Sequence, residues 1–323
     1  MLTRNYEDPG ESLIGPSTEG ALVESRRVGV VVTDTYRPSD HDNDTGPFIE
    51  ALCRLGVPAE PIVWHHTEPQ RAQRFSLLVI RSPWDYPQRP EEFRRWLSGV
   101  SRRVTVLNPP ELVEWNLDKL YLRRLEDHGI HTVPTTWVHD RTALKAALDS
   151  HEGGWVVLKP SLSAGAQDTD LLRADSLDAV ELGDRILSLN RTVMVQPEIA
   201  ELSEGREKAL YFIDGEHTHT IAKGALLARG GGFRGGQYRE DPQPMWASEE
   251  EAAFGGRVME AVTAETGLPM PLYARVDLVS SDAVGVMLLE AELFEPALNL
   301  HRVPGAAETL ARATAARLKA LPE

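Results

Sequence analysis

Two short apolar runs, Val28-Gly-Val-Val-Val-Thr33 and Leu77-Leu-Val-Ile-Arg81, constrain this chain more than any other feature. Each is dominated by β-branched or long aliphatic residues and shows no alternation of apolar with polar positions. That pattern marks a strand covered on both faces, and such strands pair in parallel with helices packed against the sheet. The intervening sequence agrees. Pro47 to Gly56 has proline near its start and glycine at its end, the asymmetry of a helix. Arg89 to Gly99 reads as a second helix, and Val104–Leu107 as a short strand that stops at Asn108-Pro-Pro110. Strands and helices alternating over residues 26–110 predict a small parallel α/β domain.

Beyond Trp115 the pattern changes. Asn116 is placed to cap a helix whose apolar face carries Leu117, Leu120, Tyr121 and Leu125 and which ends at His128-Gly129. Strands are expected at Thr135–Val138, Trp155–Leu158 and Thr192–Gln196, with helices at Thr142–Asp149 and Ser176–Leu189. Lys208–Ile213 and Thr218–Lys223 read as a hairpin turning at Asp214-Gly215. A glycine-rich loop, Gly230–Gly236, leads to a helix near Ser248–Thr266, strands at Leu272–Val279 and Val286–Glu290, and a terminal helix from Ala306. The expected fold class is α/β with α+β subdomains. A loose tail over residues 1–25 should precede three units at 26–115, 116–196 and 197–323.

With 323 residues the chain has room for more than one core. Its net charge of −15 would repel a phosphate backbone, so no nucleic-acid partner is expected, and any nucleotide would need a local basic pocket. One cysteine, Cys53, excludes an internal disulfide and a cysteine zinc cage; in the apolar run Phe48–Leu55 it reads as a buried core thiol. No apolar run reaches the roughly 18 residues of a membrane span, and the first residues lack a secretory leader's apolar segment. A cytoplasmic protein with no membrane partner is the expectation.

The densest chemistry lies in Tyr273-Ala-Arg-Val-Asp277 and Leu288-Leu-Glu-Ala-Glu292. Glu290 and Glu292 are two apart on a strand and share a face, and Asp277 sits among Val276, Leu278 and Val279 on the strand before. Three carboxylates on adjacent strands repel one another and resist desolvation, a penalty that a hard divalent cation removes. The plain alternative is an exposed sheet face with its acids in solvent. The cations are scattered. Lys119 opens a helix, Lys159 ends the strand Val156-Val-Leu-Lys, and Lys223 ends the hairpin; singly, each reads as an ordinary surface lysine. Pro160-Ser-Leu-Ser-Ala-Gly-Ala-Gln167 is a small-residue loop able to bring backbone N–H groups close to phosphate oxygens. It lacks Walker spacing, and no G-x-G-x-x-G follows the first strand. Arg229-Gly-Gly-Gly-Phe-Arg234-Gly-Gly has the composition of a lid, and equally of a plain hairpin tip.

In order along the chain, these segments resemble the ATP-grasp superfamily, at the end that holds bacterial glutathione synthetase, RimK-type ligases and the D-cycloserine-forming ligase. The likeness runs from Arg81-Ser-Pro-Trp-Asp-Tyr86 through Asn108-Pro, Trp115-Asn-Leu-Asp-Lys119, Gly129-Ile-His-Thr-Val-Pro134-Thr, Val157-Leu-Lys159-Pro and Val195-Gln196-Pro197. It continues through Gly205-Arg-Glu207, Phe212-Ile-Asp-Gly215, Arg275-Val-Asp277 and Glu290-Ala-Glu292 to Glu295-Pro296. No one motif is specific, but the ordered series is. The resemblance implies that Lys119 and Lys159 hold the nucleotide phosphates, with Ser163, Gly165 and Lys223 completing the ATP contacts. Gln196, Pro197, Glu198 and Ile199 would be the hinge that meets adenine, with Glu204 or Glu207 near the ribose. Asp277, Glu290 and Glu292 would bind two Mg²⁺ ions, and Arg234 and Arg275 would meet the transferring phosphoryl or the acyl intermediate. Two departures stand out: Glu292 occupies a position that is Asn in glutathione synthetase, and Arg206 replaces a glycine common in the cycloserine-type enzymes.

The implied activity is an ATP- and Mg²⁺-dependent ligase that converts a small amino-acid-like or peptide carboxylate to an acyl phosphate and joins it to an amine. Closure within one molecule is the alternative inside the enzyme class, and a nucleotide-binding partner protein without chemistry the alternative outside it. Arg81, Trp84 and Asp85, at the carboxyl end of a parallel strand, are the acceptor-pocket candidates, although Trp84 also reads as a plug between domains. The loop Asp40–Gly46 lacks a calcium loop's glycine and glutamate positions. His65-His66 and the pair His217/His219 read as surface or strand histidines rather than zinc ligands. A homodimer is the default assembly.

Overall fold

The computed structural model describes residues 26–37, 42–163, 165–233 and 242–322. The tail 1–25, Asp40 and His41, Ala164, and Arg234 with the glycines that follow it lie outside the described residues.

The chain begins with β1 (Val28–Val32), α1 (Thr45–Arg54), β2 (Ala59–Val63), β3 (Leu77–Ser82), α2 (Pro90–Ser101) and β4 (Thr105–Leu107). Their strands form a parallel sheet in the order β2-β1-β3-β4. The inner strands β1 and β3 are buried throughout, as their unbroken apolar runs require. β2 escaped the sequence pattern because Ala-Glu-Pro-Ile-Val carries a charge and a proline. It lies at the sheet edge, where a missing N–H breaks no ladder. α1 buries Phe48, Ala51 and Leu52. Cys53 is one residue, roughly 100° of helix, past Leu52. It is therefore exposed, which corrects the expectation of a core thiol.

Next come α3 (Pro110–Asn116), α4 (Tyr121–Asp127), β5 (Thr136–Val138), α5 (Arg141–Asp149), β6 (Trp155–Pro160), β7 (Asp170–Arg173), α6 (Leu177–Ser188) and β8 (Val193–Pro197). The four strands form an antiparallel sheet ordered β5-β8-β6-β7. Asn116 ends α3 instead of capping α4, and Lys119 sits in the turn between those helices. Pro110 supplies the better start: proline suits the first turn, where its absent N–H would have had no partner anyway. The Asn116 amide instead donates to Ala291 O at 2.9 Å and accepts from Leu293 N at 2.8 Å.

The remainder comprises α7 (Ala200–Ser203), β9 (Glu207–Ile213), β10 (Glu216–Ala222), β11 (Gln243–Met245), α8 (Glu249–Thr266), β12 (Tyr273–Ser281), β13 (Gly285–Glu292) and α9 (Ala306–Lys319). Its sheet, β11-β10-β9-β12-β13, pairs antiparallel throughout, with one parallel bridge from Thr132 to Leu288. α8 opens on a reciprocal capping box between Ser248 and Glu251 and stops at left-handed Gly267.

The first and last sheets share one core, in which Val30, Phe48 and Val79 meet Tyr211 and Leu310, and α9 packs on α1. Polar groups fix the connection. Asp44 accepts backbone N–H bonds from Leu298 at 2.6 Å, Asn299 at 3.1 Å and Leu300 at 2.7 Å. Asn108 accepts from Leu272 N at 2.6 Å and donates to Tyr273 O at 2.8 Å. The segment after β13 is thereby held against the carboxyl ends of the parallel strands. No helix among the described residues is long and apolar enough to cross a membrane.

Candidate active site

A cavity of about 1160 Å³ opens where the three sheets approach one another. Its floor is a rung of β12 and β13, in which Arg275 pairs with Glu292 and Asp277 with Glu290. Alternate residues of a strand share a face, so this register gathers four charges on one side of the sheet. Asp277 is fully buried, and ligand oxygens of Asp277, Glu290 and Glu292 all lie within 4.8 Å of one another. The exposed-face alternative fails for this trio.

Cations surround the carboxylates. Arg275 donates Nε to Asp277 Oδ1 and Nη2 to Asp277 Oδ2, both at 2.8 Å, and Nη2 also meets Glu292 Oε1 at 2.5 Å. Lys223 Nζ lies 3.0 Å from Asp277 Oδ2 and 2.9 Å from Glu207 Oε1. Lys119 Nζ lies 3.5 Å from Glu290 Oε2 and donates to Ser163 O at 3.1 Å.

Burial opposes ionisation of all these groups, and the neighbours decide which stay charged. Burial would raise the Glu290 carboxyl, but Lys119, Lys159, Lys223 and Arg275 outweigh it and hold the group at about 2. Glu292 moves the other way. Burial, reinforced by Glu295, Glu290 and Asp277, pushes it up to about 8 despite Arg275. Lys159 is pushed down to about 8, chiefly by burial, with Lys119 and Lys223 adding to it against Glu290 and Glu207. Crowded hard oxygen donors, one of them driven towards protonation by burial and then by like charge, fit a place that receives a divalent cation.

The other end of the cavity is an apolar slot beside the strand end that leaves β8. Val133, Val157, Leu171, Ile199, Leu202 and Leu289 line it, a surface suited to the flat face of a base. The Gln196 side chain is engaged elsewhere, donating to Thr135 Oγ1 at 2.8 Å. Glu198 takes a two-pronged contact from Arg229, at 2.9 and 2.8 Å, which holds its carboxyl below the usual range. Arg229 thus ties the start of the glycine-rich loop to the slot.

Of the residues nominated from sequence, Lys119, Lys159, Ser163, Gly165, Gln196, Pro197, Glu198, Ile199, Glu207, Lys223, Arg275, Glu290, Glu292 and Trp84 line this one cavity. Asp277 is fully buried and off the wall, paired with Glu290 on the adjoining strand. Glu204 is not on the wall and faces Arg206 at 3.5 Å, whereas Glu207, the other acid nominated for the ribose, is beside Lys223. Arg81 and Asp85 also stand off the wall. Arg81 is fully buried and donates to Pro296 O at 2.8 Å, and Asp85 accepts from Trp64 Nε1 at 2.7 Å. Arg234 is outside the described residues.

The sequence reading missed Arg37, Asn43, His301 and Arg302, which form the end of the cavity nearest the parallel sheet. Arg37 packs so closely on Gly165 that a Cβ there would run into its guanidinium, and Gly165 has a left-handed φ of 60°. Arg37 thereby meets the small-residue loop beside Lys119 and Lys159. Its only signal in the sequence was its place shortly after a parallel strand.

Residues 28–108 match the family model described as the N-terminal domain of D-cycloserine synthetase DcsG. The crystal structure of D-cycloserine synthetase DcsG superposes with a TM-score of 0.83 at 31% identity, covering 90% of this chain and 99% of that one. The cycloserine biosynthesis protein DcsG of Streptomyces lavendulae is 33% identical over 292 residues, which are 86% of this chain and 95% of that protein. This chain belongs to the ATP-grasp ligase family. A RimK domain ATP-grasp protein from Sphaerobacter thermophilus shares the ATP-grasp fold at greater distance, with 18% identity, a TM-score of 0.62, and coverage of 88% of this chain and 98% of that one. In this ATP-grasp ligase residues of the four-stranded antiparallel sheet and of the five-stranded sheet line the cavity together with Arg37, Asn43, Trp84 and Tyr86 from the segments that follow β1 and β3.

Proposed function

We propose that this ATP-grasp ligase transfers the γ-phosphoryl of ATP to the carboxylate of a small amino-acid-like substrate and then closes a C–N bond within the same molecule. The observation that carries the phosphoryl chemistry is the rung Arg275–Asp277–Glu290–Glu292, with Lys119, Lys159 and Lys223 around one cavity. The preference for ring closure rests on likeness to proteins named for cycloserine, a likeness that spans the parallel sheet at the acceptor end. Joining the carboxylate to a separate amine is the second reading, since the same charges serve either nucleophile.

In the first step a carboxylate oxygen attacks the γ-phosphorus, the bond to ADP breaks, and an acyl phosphate forms. Two Mg²⁺ ions bound by Asp277, Glu290 and Glu292 would supply charge neutralisation between the phosphates. Lys119 and Lys159 hold phosphate oxygens, and the Ser163–Gly165 loop offers backbone donors beside them. Hinge residues 196–199 and the apolar slot take the base, with Glu207 at the ribose. Arg37 and Arg275 approach the transferred group from opposite domains. In the second step the nitrogen attacks the carbonyl carbon, the C–N bond forms, and the C–O bond to phosphate breaks. Inorganic phosphate leaves with the electron pair, and the nitrogen's proton passes to phosphate or water. The side chains act by positioning and charge, which suffices for phosphoryl transfer.

A panel of amino acids assayed for ADP release with Mg-ATP, with mass analysis of each product, tests this directly. Closure gives a product one water lighter than its single substrate. A requirement for an added amine would replace closure with two-substrate ligation. ADP release that ignores every carboxylate would refute both.

A further inference from the structure

A second group of potential metal ligands lies off the cavity wall, at the carboxyl ends of β1 and β2. The register pairs Val32 with Val63, so Asp34 and His65, each two residues further on, come level, and His66 follows in the same turn. Asp34 Oδ1 stands 3.1 Å from His65 Nε2, and Asp34 Oδ2 stands 3.4 Å from His66 Nδ1. All three ligand atoms fall within 4.8 Å of one another. Zinc bonds of roughly 2.0–2.1 Å in a tetrahedron set neighbouring ligand atoms about 3.3 Å apart, so the three side chains would draw together by no more than about 1.5 Å around an ion.

His65 Nε2 faces Asp34 Oδ1, Thr33 Oγ1 at 3.4 Å and Asp85 Oδ2 at 3.7 Å. Asp34 is the nearer of the two carboxylates. The His65 side chain is only 7% exposed and forms the buried base of the group. Asp85 is already engaged by Trp64 and Arg89, which leaves it as a supporting charge. The Asp34 and His66 side chains are 48% and 64% exposed, so an ion can enter and keep water in its remaining positions.

We propose that Asp34, His65 and His66 form a site for a divalent transition-metal ion of the zinc class, completed by water. Imidazole nitrogens with one carboxylate select such ions, whereas the all-oxygen rung of Asp277, Glu290 and Glu292 selects magnesium. The bound ion ties β1 to β2 just before Tyr36 and Arg37. Tyr36 packs edge-on to Trp84 at 5.9 Å, and Arg37 and Trp84 both reach the cavity, so the ion steadies the acceptor wall from behind.

The test is calorimetric titration of chelator-stripped full-length protein with Zn²⁺, in excess Mg²⁺ to fill the oxygen site. One zinc should bind with micromolar or tighter affinity. His66→Ala and Asp34→Asn, both at exposed positions, should each weaken binding at least tenfold while leaving the circular dichroism spectrum unchanged. Co²⁺ in place of zinc should give visible absorption that both variants lose. Absence of zinc binding in the parent protein, or binding that both variants retain, would overturn the proposal.

Discussion

Arg275 and Arg81 are both buried arginines on strands that approach the same cavity, and both were nominated from the sequence. Arg275 spreads its guanidinium over Asp277 and Glu292 and lines the cavity. Arg81 does neither. It reaches Pro296 O and, at 3.5 Å, Asp44, stands 5.3 Å over the Tyr273 ring, and leaves Nε and Nη1 without hydrogen-bond partners among the described residues. Asp44 in turn grips the backbone of Leu298–Leu300. One arginine lines the cavity, and the other helps seat the loop that shapes it. A buried cation at a strand end is therefore not evidence of a site until its partners are known to open onto a cavity.

The largest expected effect separates the two. Arg275→Met takes the guanidinium from Glu292 and leaves Asp277 to Lys223, so substrate-dependent ADP release should fall by about a hundredfold or more. Denaturant unfolding should show a loss of about 3–5 kcal/mol, the usual result of breaking a buried ion pair from one side. Arg81→Met should shift stability by no more than about 2 kcal/mol, because Asp44 keeps its three backbone donors and two unsatisfied N–H groups disappear. Its ADP release should stay within a few-fold of the parent. A hundredfold loss in Arg81→Met with unchanged stability would erase the distinction.

Arg37→Ala sharpens the comparison from the acceptor side. It removes a cation from Gly165 and the small-residue loop, and should lower kcat by about tenfold or more with little change in unfolding midpoint. The pH dependence comes next in size. Lys159 titrates at about 8 in the free protein, and phosphate binding favours its charged form. Nucleotide-bound protein therefore holds more protons above that pH, and ATP affinity should fall as pH rises past 8, by at most about tenfold per unit. Equilibrium binding of ATP without Mg²⁺ from pH 7 to 9.5 would check this, since loss of the Glu292 proton over the same range then adds repulsion in the same direction; flat affinity would contradict it. The smallest effect belongs to Arg229→Ala, which breaks an exposed pair with Glu198 and should raise the KM for ATP no more than a few-fold.

The contrast also explains what was legible in the sequence. β1 and β3 announced themselves because burial on both faces leaves an unbroken apolar run. The rung was legible because Glu290 and Glu292 keep the two-residue period of a strand. Features fixed by distant contacts were not. Asn116 has the chemistry of a helix cap, yet it is spent on β13. Arg37 and Gly165 meet only after two sheets have docked, and Asp34 joins His65 only through a parallel register that the proline in β2 concealed. Cys53 was misread because an apolar run was taken as uniformly buried, although a helix hides only one stripe of it.

Oxygen-18 transfer tests the central claim most directly. A carboxylate substrate found by the ADP-release screen, labelled with oxygen-18 on its carboxyl group, is turned over with unlabelled ATP, and the inorganic phosphate is weighed by mass spectrometry. The acyl-phosphate account predicts one labelled oxygen in each phosphate released. Unlabelled phosphate, or AMP and pyrophosphate in place of ADP and phosphate, would contradict it.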